Sequence, residues 1–127
     1  MHLTHKYLWA ELSQISKKLL EDILPYRYDQ QFGTHITIDW DADFTQYTDI
    51  IGKKFKLTVD TLVFDQRCEA IPVTLLNTGL FSINKNPHIT WSCDIETNPY
   101  YSNYLLFVSN SKLMFEPLEI EVEVICG

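Results

Sequence analysis

Alternating apolar and polar residues predict most of the strands in this chain. The clearest run covers residues 118–124, where leucine, isoleucine and valine alternate with three glutamates. Residues i and i+2 of an extended chain lie on one face, so this run predicts a strand with one apolar and one acidic face. Residues 54–59 alternate in the same way and continue through residues 62–64, with a bulge at residues 60–61 where the phase slips.

One segment shows helical rather than strand spacing. Apolar residues recur at intervals of three and four, which predicts an amphipathic helix over residues 13–24. Ser13 with Ser16 can cap its start, and Pro25 ends it. The apolar stripe expected to face the core consists of Leu12, Ile15, Leu19, Leu20 and Ile23.

The remaining segments complete the predicted order of elements. We expect strands at residues 7–10, 34–40, 68–76 and 87–91, turns at 41–43 and 65–67, and a short helical segment at 44–51. Residues 26–33, 77–87 and 94–103 are expected as loops, and residues 104–108 as a strand or a helical turn. Pro72 favours a sheet edge or a bulge for its strand. The predicted fold class is therefore α+β, a mostly antiparallel sheet of about six or seven strands with one main helix, in a single domain over residues 1–127.

Composition narrows the class of protein. The chain has 127 residues, of which 46% are hydrophobic, and this is enough for one packed core. It contains no apolar run of about 18 residues and no signal-peptide layout, so we expect a cytoplasmic protein without a membrane span. Cys68, Cys93 and Cys126 form no C-x-x-C pair, which favours free thiols in a reducing compartment.

Net charge argues against one class of partner. The formal charge is −7, whereas binding along a nucleic-acid duplex requires a basic stripe that neutralises phosphates. The only arginines are Arg27 and Arg67, and the one lysine cluster, at residues 53–56, is typical of a solvated strand edge. We therefore expect a phosphate ligand to be small, or to be a chain end held in a local site.

Two copies of the sequence His-Ile-Thr are the candidate catalytic motifs. The first holds His35 and Thr37, and the second holds His88 and Thr90. On a strand, the histidine and threonine of each copy share a face, so neighbouring strands would place two imidazoles and two hydroxyls in one cleft. The alternate residues expected in the core are Ile36, Ile38, Ile89 and Trp91.

Such a cleft suits acid–base chemistry on a phosphate. A histidine with a pKa near its ordinary value of about 6.5 can act as base or acid at neutral pH, and threonine hydroxyls can donate hydrogen bonds to the phosphate oxygens. This scheme needs no metal and no cofactor, and the scattered histidines and cysteines match no familiar zinc spacing. The alternative is that His35 and His88 are ordinary strand residues with satisfied hydrogen bonds. A third copy, His2-Leu3-Thr4, lies at a terminus expected to fray.

The motifs and their context resemble the 2H phosphoesterase superfamily, and within it the small domains associated with RNA repair and RNA ligases. The likeness covers nearly the whole chain and rests on residues 7–10 with 16–20, 33–38, 52–54 with 65–70, and 87–92 with 102–106. It implies a metal-independent phosphodiesterase that hydrolyses a 2′,3′-cyclic phosphate on an RNA end or a small nucleotide. On the same resemblance, His35 is the acid for the leaving oxygen and His88 the base for water.

Several aromatic residues are candidates for stacking on a base. We expect Trp40, Tyr100 and Tyr101, together with Ser102, to contact substrate, although each can equally serve a structural role. Tyr26 and Tyr28 are further stacking candidates, whereas Trp91 falls on the core side of its strand.

Two alternatives to this function stay open. A cyclic dinucleotide or a 2′–5′ oligoadenylate would keep the chemistry and change the substrate, and a non-catalytic nucleotide-binding module would keep only the fold. In every case we expect a monomer that binds neither long duplex nucleic acid nor a membrane.

Overall fold

The computed structural model describes residues 5–108 and 111–127, and it confirms the α+β fold class. The strands are β1 (His5–Leu12), β2 (Gln30–Gln31), β3 (His35–Asp43), β4 (Lys54–Phe64), β5 (Cys68–Pro72), β6 (His88–Cys93) and β7 (Lys112–Cys126). The helices are α1 (Gln14–Ile23) and α2 (Tyr101–Val108), with a 3₁₀ turn at Phe44–Gln46. The predicted His2-Leu3-Thr4 copy lies outside the described residues.

The seven strands form one antiparallel sheet that closes on itself. Their order is β2-β6-β3-β1-β7-β4-β5, and β5 pairs in addition with β6. One edge of β6 therefore pairs with β5, while its other edge pairs first with β3, at Ile89, and then with β2, at Ser92 and Cys93. Closure brings the two His-Ile-Thr strands together although they are far apart in sequence.

The alternation of apolar residues correctly predicted the inner face of the sheet. Ile36, Ile38, Ile89 and Trp91 are all fully buried. The predicted bulge is present, because the pairing of β4 with β7 shifts between Val59 and Thr61.

The apolar stripe predicted on α1 is correct for Leu12 and Leu20, which are buried, and wrong for its other three residues. Ile15, Leu19 and Ile23 are 75%, 42% and 47% exposed, while the buried ridge is Ser16 and Leu20, followed by the C-cap Leu24. Ser16 sets this orientation, because its Oγ accepts a 2.7 Å hydrogen bond from the Glu121 amide of β7. The predicted cap is correct, since the Ser13 side chain accepts from the Ser16 amide.

Three other predictions about elements need correction. Residues 41–43 belong to β3 rather than to a turn, because Ala42 is buried opposite Lys6 of β1. Pro72 does not mark a sheet edge: β5 is paired on both sides, ends at Pro72, and has its irregularity between Glu69 and Ala70. Residues 101–108 form α2, so residues 101–103 are not loop, and for residues 104–108 the helical alternative is the correct one. No helix in the described part of the chain is long and apolar enough to cross a membrane.

Candidate active site

The pairing of β3 with β6 brings the two motifs to one face of the sheet. Ile36 lies opposite Ile89, so antiparallel geometry sets His35 across from Thr90 and Thr37 across from His88. Because both isoleucines are fully buried, the four polar side chains lie on the opposite face. They line one cavity of about 260 Å³, which is the candidate active site and is hereafter the catalytic cavity. The two motifs therefore lie on neighbouring strands, as the sequence predicted.

The catalytic cavity contains three of the four residues that we expected to contact substrate. Trp40, Tyr100 and Ser102 line it. Tyr101 does not: its hydroxyl donates to the Asp65 carboxylate, and its ring carries the guanidinium of Arg67, 4.8 Å from the ring centroid. The sequence did not single out Tyr7, Phe32, Thr34, Asn84 and Pro99, which also line the cavity.

Tyr7 of β1 joins the two polar side chains of the first motif. Its hydroxyl oxygen lies 2.6 Å from Thr37 Oγ1 and 3.2 Å from His35 Nε2. The other imidazole nitrogen, Nδ1, lies 2.8 Å from Thr34 Oγ1. The His35 ring is therefore held at both nitrogens by neutral hydroxyl groups.

Ser102 of α2 does the same for the second motif. Its Oγ lies 2.8 Å from His88 Nε2 and 2.8 Å from Thr90 Oγ1. The Pro99 carbonyl, also 2.8 Å away, offers the Ser102 hydroxyl a further acceptor. Each His-Ile-Thr motif is thus bridged by a hydroxyl from a different element.

The tautomer of neutral His88 follows from its backbone contact. Nδ1 lies 2.7 Å from the Asn86 carbonyl oxygen, which can only accept, so Nδ1 carries the proton. In the neutral ring Nε2 is then the acceptor, and it faces Ser102. A lone pair fixed in this way is the feature required of a general base.

Burial lowers the pKa of both histidines. For His35, desolvation is the main cause, and the Glu11 carboxylate opposes it. For His88, desolvation again dominates, the Asn86 carbonyl opposes it, and the charge of His35 adds to the lowering. Repulsion between the two rings disfavours the state in which both are protonated.

Two side chains of the loop before β6 form hydrogen bonds beside the catalytic cavity. Ser82 Oγ donates to the Thr37 carbonyl at 2.7 Å, and the Asn84 side-chain amide donates to Asn103 Oδ1 at 3.0 Å. These bonds connect β3, the loop and α2 around the cavity. Among the described residues, no three His, Cys, Asp or Glu side chains lie close enough to hold a metal ion.

Comparison with known proteins identifies the family. The model of the fungal tRNA ligase phosphodiesterase domain matches residues 1–123 of the chain. The chain belongs to this family. The family is one of 2H phosphoesterases, so the resemblance inferred from the two motifs is confirmed. A search of curated proteins finds no match.

Family membership also establishes the class of reaction. The fungal tRNA ligase phosphodiesterase domain hydrolyses 2′,3′-cyclic phosphate in tRNA splicing. The chain is accordingly a cyclic phosphodiesterase, a hydrolase, as the sequence predicted.

Proposed function

We propose that this chain hydrolyses the 2′,3′-cyclic phosphate at the end of an RNA strand, with His35 and His88 as its acid–base pair. The observation that carries the proposal is the placement of both imidazoles and both threonine hydroxyls on one face of β3 and β6, in one cavity. Water attacks the phosphorus, the bond to one ribose oxygen breaks, and the product is a phosphomonoester beside a free hydroxyl. This reaction requires one proton to be removed and another to be supplied.

His88 is suited to remove the proton from water. The Asn86 carbonyl fixes the Nδ1–H tautomer, which leaves the Nε2 lone pair as the base. The Pro99 carbonyl is an alternative acceptor for the Ser102 hydroxyl, so that hydroxyl can give up its bond to Nε2 when a water molecule takes its place as donor. Once Nε2 is protonated, it can donate to Ser102 Oγ, so the same hydroxyl stabilises both states of the ring.

His35 supplies the proton to the leaving ribose oxygen in this scheme. Because the charge of His35 lowers the pKa of His88, protonation of His35 keeps His88 in its neutral, basic form. After one turnover the proton has moved from His35 to His88, and exchange with solvent resets the pair. A substrate bound in the opposite orientation would exchange the two roles.

Thr37 and Thr90 are placed to bind the non-bridging phosphate oxygens. Each hydroxyl already touches a second hydroxyl that can accept or donate, Tyr7 for Thr37 and Ser102 for Thr90. Each threonine can therefore turn its hydrogen towards substrate without leaving a buried group unpaired. Donors fixed in this way stabilise the charge that develops in the transition state.

The size of the catalytic cavity favours one nucleotide as its occupant. Its volume of about 260 Å³ lies below the range of roughly 300–1,000 Å³ typical of sites for drug-sized ligands. It holds a cyclic phosphate with its sugar more readily than a whole cyclic dinucleotide. Trp40 and Tyr100, 41% and 67% exposed at the cavity, can stack on the attached base. A cytoplasmic location and a monomeric state stay predictions.

The test is a panel of substrates with histidine variants. We expect turnover of 2′,3′-cyclic mononucleotides, and we expect His35→Ala and His88→Ala each to reduce kcat by about 10²–10⁴-fold, as for other general acid–base groups. Thr37→Ala and Thr90→Ala should lose about 10–10³-fold, and EDTA should leave the rate unchanged.

Three outcomes would contradict the proposal. Rapid turnover of a cyclic dinucleotide with inert cyclic mononucleotides would change the substrate. Binding without turnover across pH 5–9 would indicate a binding module. Loss of activity with EDTA, restored by zinc or manganese, would indicate a metal-dependent mechanism.

A further inference from the structure

Both arginines of the chain line a second cavity beside the first turn of α2. This cavity, of about 510 Å³, is hereafter the arginine pocket. Its lining includes Arg27, Tyr28, Phe64, Asp65, Arg67 and Tyr101. The pocket therefore brings both guanidinium groups of the chain together with three aromatic rings and the carboxylate of Asp65.

Each guanidinium group stacks on an aromatic ring. The Arg27 Cζ atom lies 4.0 Å from the centroid of Phe64, and the Arg67 Cζ atom lies 4.8 Å from the centroid of Tyr101. The Arg67 Nε donates to Thr97 Oγ1 at 3.3 Å, and within residues 5–108 and 111–127 no hydrogen bond engages its two Nη groups. Arg67 therefore has donors available for a ligand.

The acidic side chains near the pocket already have partners. Asp65 accepts from the backbone amides of Arg67 and Cys68 at 2.7 and 3.0 Å, and it also accepts from the Tyr101 hydroxyl. Its bond to Tyr101 raises the pKa of that hydroxyl to about 12, so Tyr101 stays neutral. These contacts orient the pocket wall and hold the Tyr101 ring beneath Arg67.

A second acidic group, Glu69, also has hydrogen-bond partners of its own. It is 1% exposed and accepts from the Arg27 amide and from the Ser92 hydroxyl. Its other oxygen lies 3.6 Å from the Arg27 Nε. Arg27 is therefore balanced locally by Glu69, whereas the charge of Arg67 acts on the carboxylate of Asp94, whose pKa it helps to lower.

The pocket and the catalytic cavity share a wall. Tyr100 and Ser102 line the catalytic cavity, while Tyr101 between them lines the arginine pocket. Phe32 also lines the catalytic cavity and packs in the same apolar cluster as Tyr101. A strand whose cyclic phosphate end occupies the catalytic cavity needs to cross only this wall to reach the arginines.

We propose that the arginine pocket binds the RNA nucleotides that precede the cyclic phosphate end. Single-stranded RNA is recognised by stacking of bases on aromatic rings and on guanidinium planes, and arginine donates pairs of hydrogen bonds to phosphate. The arginine pocket supplies aromatic rings, guanidinium planes and hydrogen-bond donors. Its volume of about 510 Å³ has room for one or two nucleotides. This inference rests on the proposed function, and it adds a second binding site, for the part of the RNA strand that precedes its cyclic phosphate end.

The experiment compares two substrates of different length on the same variants. One is a cyclic mononucleotide, which fills only the catalytic cavity, and the other is a trinucleotide that ends in a 2′,3′-cyclic phosphate. Arg67→Gln should lower kcat/KM for the trinucleotide by about 10-fold, the size expected for one lost stacking contact, chiefly through KM. It should leave the mononucleotide within twofold, because Arg67 does not line the catalytic cavity.

Two further variants separate charge from stacking. Lys56→Gln removes the same charge from exposed β4, away from both cavities, and should leave both substrates unaffected. Arg67→Lys keeps the charge and loses the planar group, so it should fall between wild type and Arg67→Gln on the trinucleotide. Thermal unfolding of each variant checks that the fold is intact.

Equal losses on both substrates, or no loss on the trinucleotide, would overturn the inference. A wild-type enzyme that turned over both substrates with equal kcat/KM would overturn it as well, while leaving the proposed function standing. The fluorescence anisotropy of a labelled trinucleotide with a 3′-phosphate measures binding to the pocket without turnover. Tighter binding to wild type than to Arg67→Gln would support the pocket even if the cyclic phosphate were not hydrolysed, and equal binding would contradict it.

Discussion

In each His-Ile-Thr motif, one hydroxyl from another element contacts both the histidine and the threonine. Tyr7 reaches the first motif from β1, and Ser102 reaches the second from α2. A hydroxyl can donate or accept, so each bridge adapts when its imidazole gains or loses a proton. We therefore infer that Tyr7 and Ser102 position the acid–base pair without being proton donors or acceptors for the substrate themselves.

Removal of either bridge should slow catalysis without abolishing it. We expect Tyr7→Phe and Ser102→Ala each to lower kcat by about 10–10²-fold, because one orienting hydrogen bond is lost while both imidazoles remain. KM for a cyclic mononucleotide should change little. Steady-state kinetics of the single and double variants measure this effect.

Tyr47→Phe is the matched control for the tyrosine variant. It also removes a hydrogen-bonded hydroxyl, one that donates to Asp39 at 3.0 Å, but Tyr47 does not line the catalytic cavity. Its kcat should equal that of wild type. A Tyr7→Phe enzyme as active as Tyr47→Phe would show that the bridge has no role in catalysis.

Strand alternation explains which site residues the sequence could predict. It placed the histidine and threonine of each motif on one face, because β3 and β6 are extended there. It could not place Tyr101, since α2 begins at that residue and successive helical side chains diverge by about 100° rather than 180°. The role of Tyr7 could not be predicted for another reason. Its contacts with His35 and Thr37 depend on the register of β1 against β3, which shifts twice near Leu8.

At the scale of elements, Gly33 determines how the chain enters β3, the strand of the first His-Ile-Thr motif. Its φ is +70°, and its amide donates to the Thr90 carbonyl of β6 at 2.9 Å. A Cβ at this position would lie 2.6 Å from a ring carbon of Trp91, which is fully buried and stacked on Tyr26. Glycine is therefore required both by the backbone conformation and by the close approach of the indole.

Gly33→Ala should destabilise the protein more than an equivalent change elsewhere. Left-handed strain and overpacking against Trp91 should together cost about 2–4 kcal/mol. Gly52→Ala is the control, because Gly52 also has a positive φ, of +84°, but a Cβ there meets nothing within 4 Å. Its cost should be about 1 kcal/mol. Urea unfolding measures both, and equal costs would show that the contact with Trp91 carries no penalty.

Helix α1 shows where periodicity alone is insufficient at this scale. Two adjacent ridges of the helix are candidates for burial, and apolarity favours the one that contains Ile15 and Leu19. The structure buries the ridge that contains Ser16 instead, because that hydroxyl satisfies a backbone amide of β7. A hydrogen bond to a sheet that is distant in sequence cannot be read from the pattern within the helix.

At the scale of the whole molecule, closure of the sheet creates the site. β6 pairs with β5, the strand before it in the chain, and also with β3 and β2, which are distant from it in sequence. Local patterns predicted the strands other than β2, which lies in a segment expected as a loop, but they did not predict this closure. Pro72 favoured an edge or a bulge at β5. The proline is accommodated because it is the last residue of β5, beyond which Val73 donates to the Pro87 carbonyl.

The catalytic cavity also determines how stability responds to pH, because it partly buries the histidines of both motifs. Burial lowers the pKa of His35 and of His88 below the value of about 6.5 expected in the unfolded chain. Between the folded and unfolded pKa values, the unfolded chain binds more protons, so the free energy of unfolding rises with pH. The stabilisation is fully present above about pH 6.5 and is lost as the pH falls through the folded pKa values.

We therefore expect urea unfolding to show a free energy that falls from pH 7.5 to pH 5.5. Replacement of both histidines by glutamine should flatten this dependence, because glutamine has no proton to gain in this range. The lowered pKa of Asp94, which the Thr97 hydroxyl causes, acts only below about pH 4 and leaves the window clear. A wild-type protein whose stability was constant or increased on acidification, or a double variant with the same slope as wild type, would show that these two imidazoles are not the groups responsible.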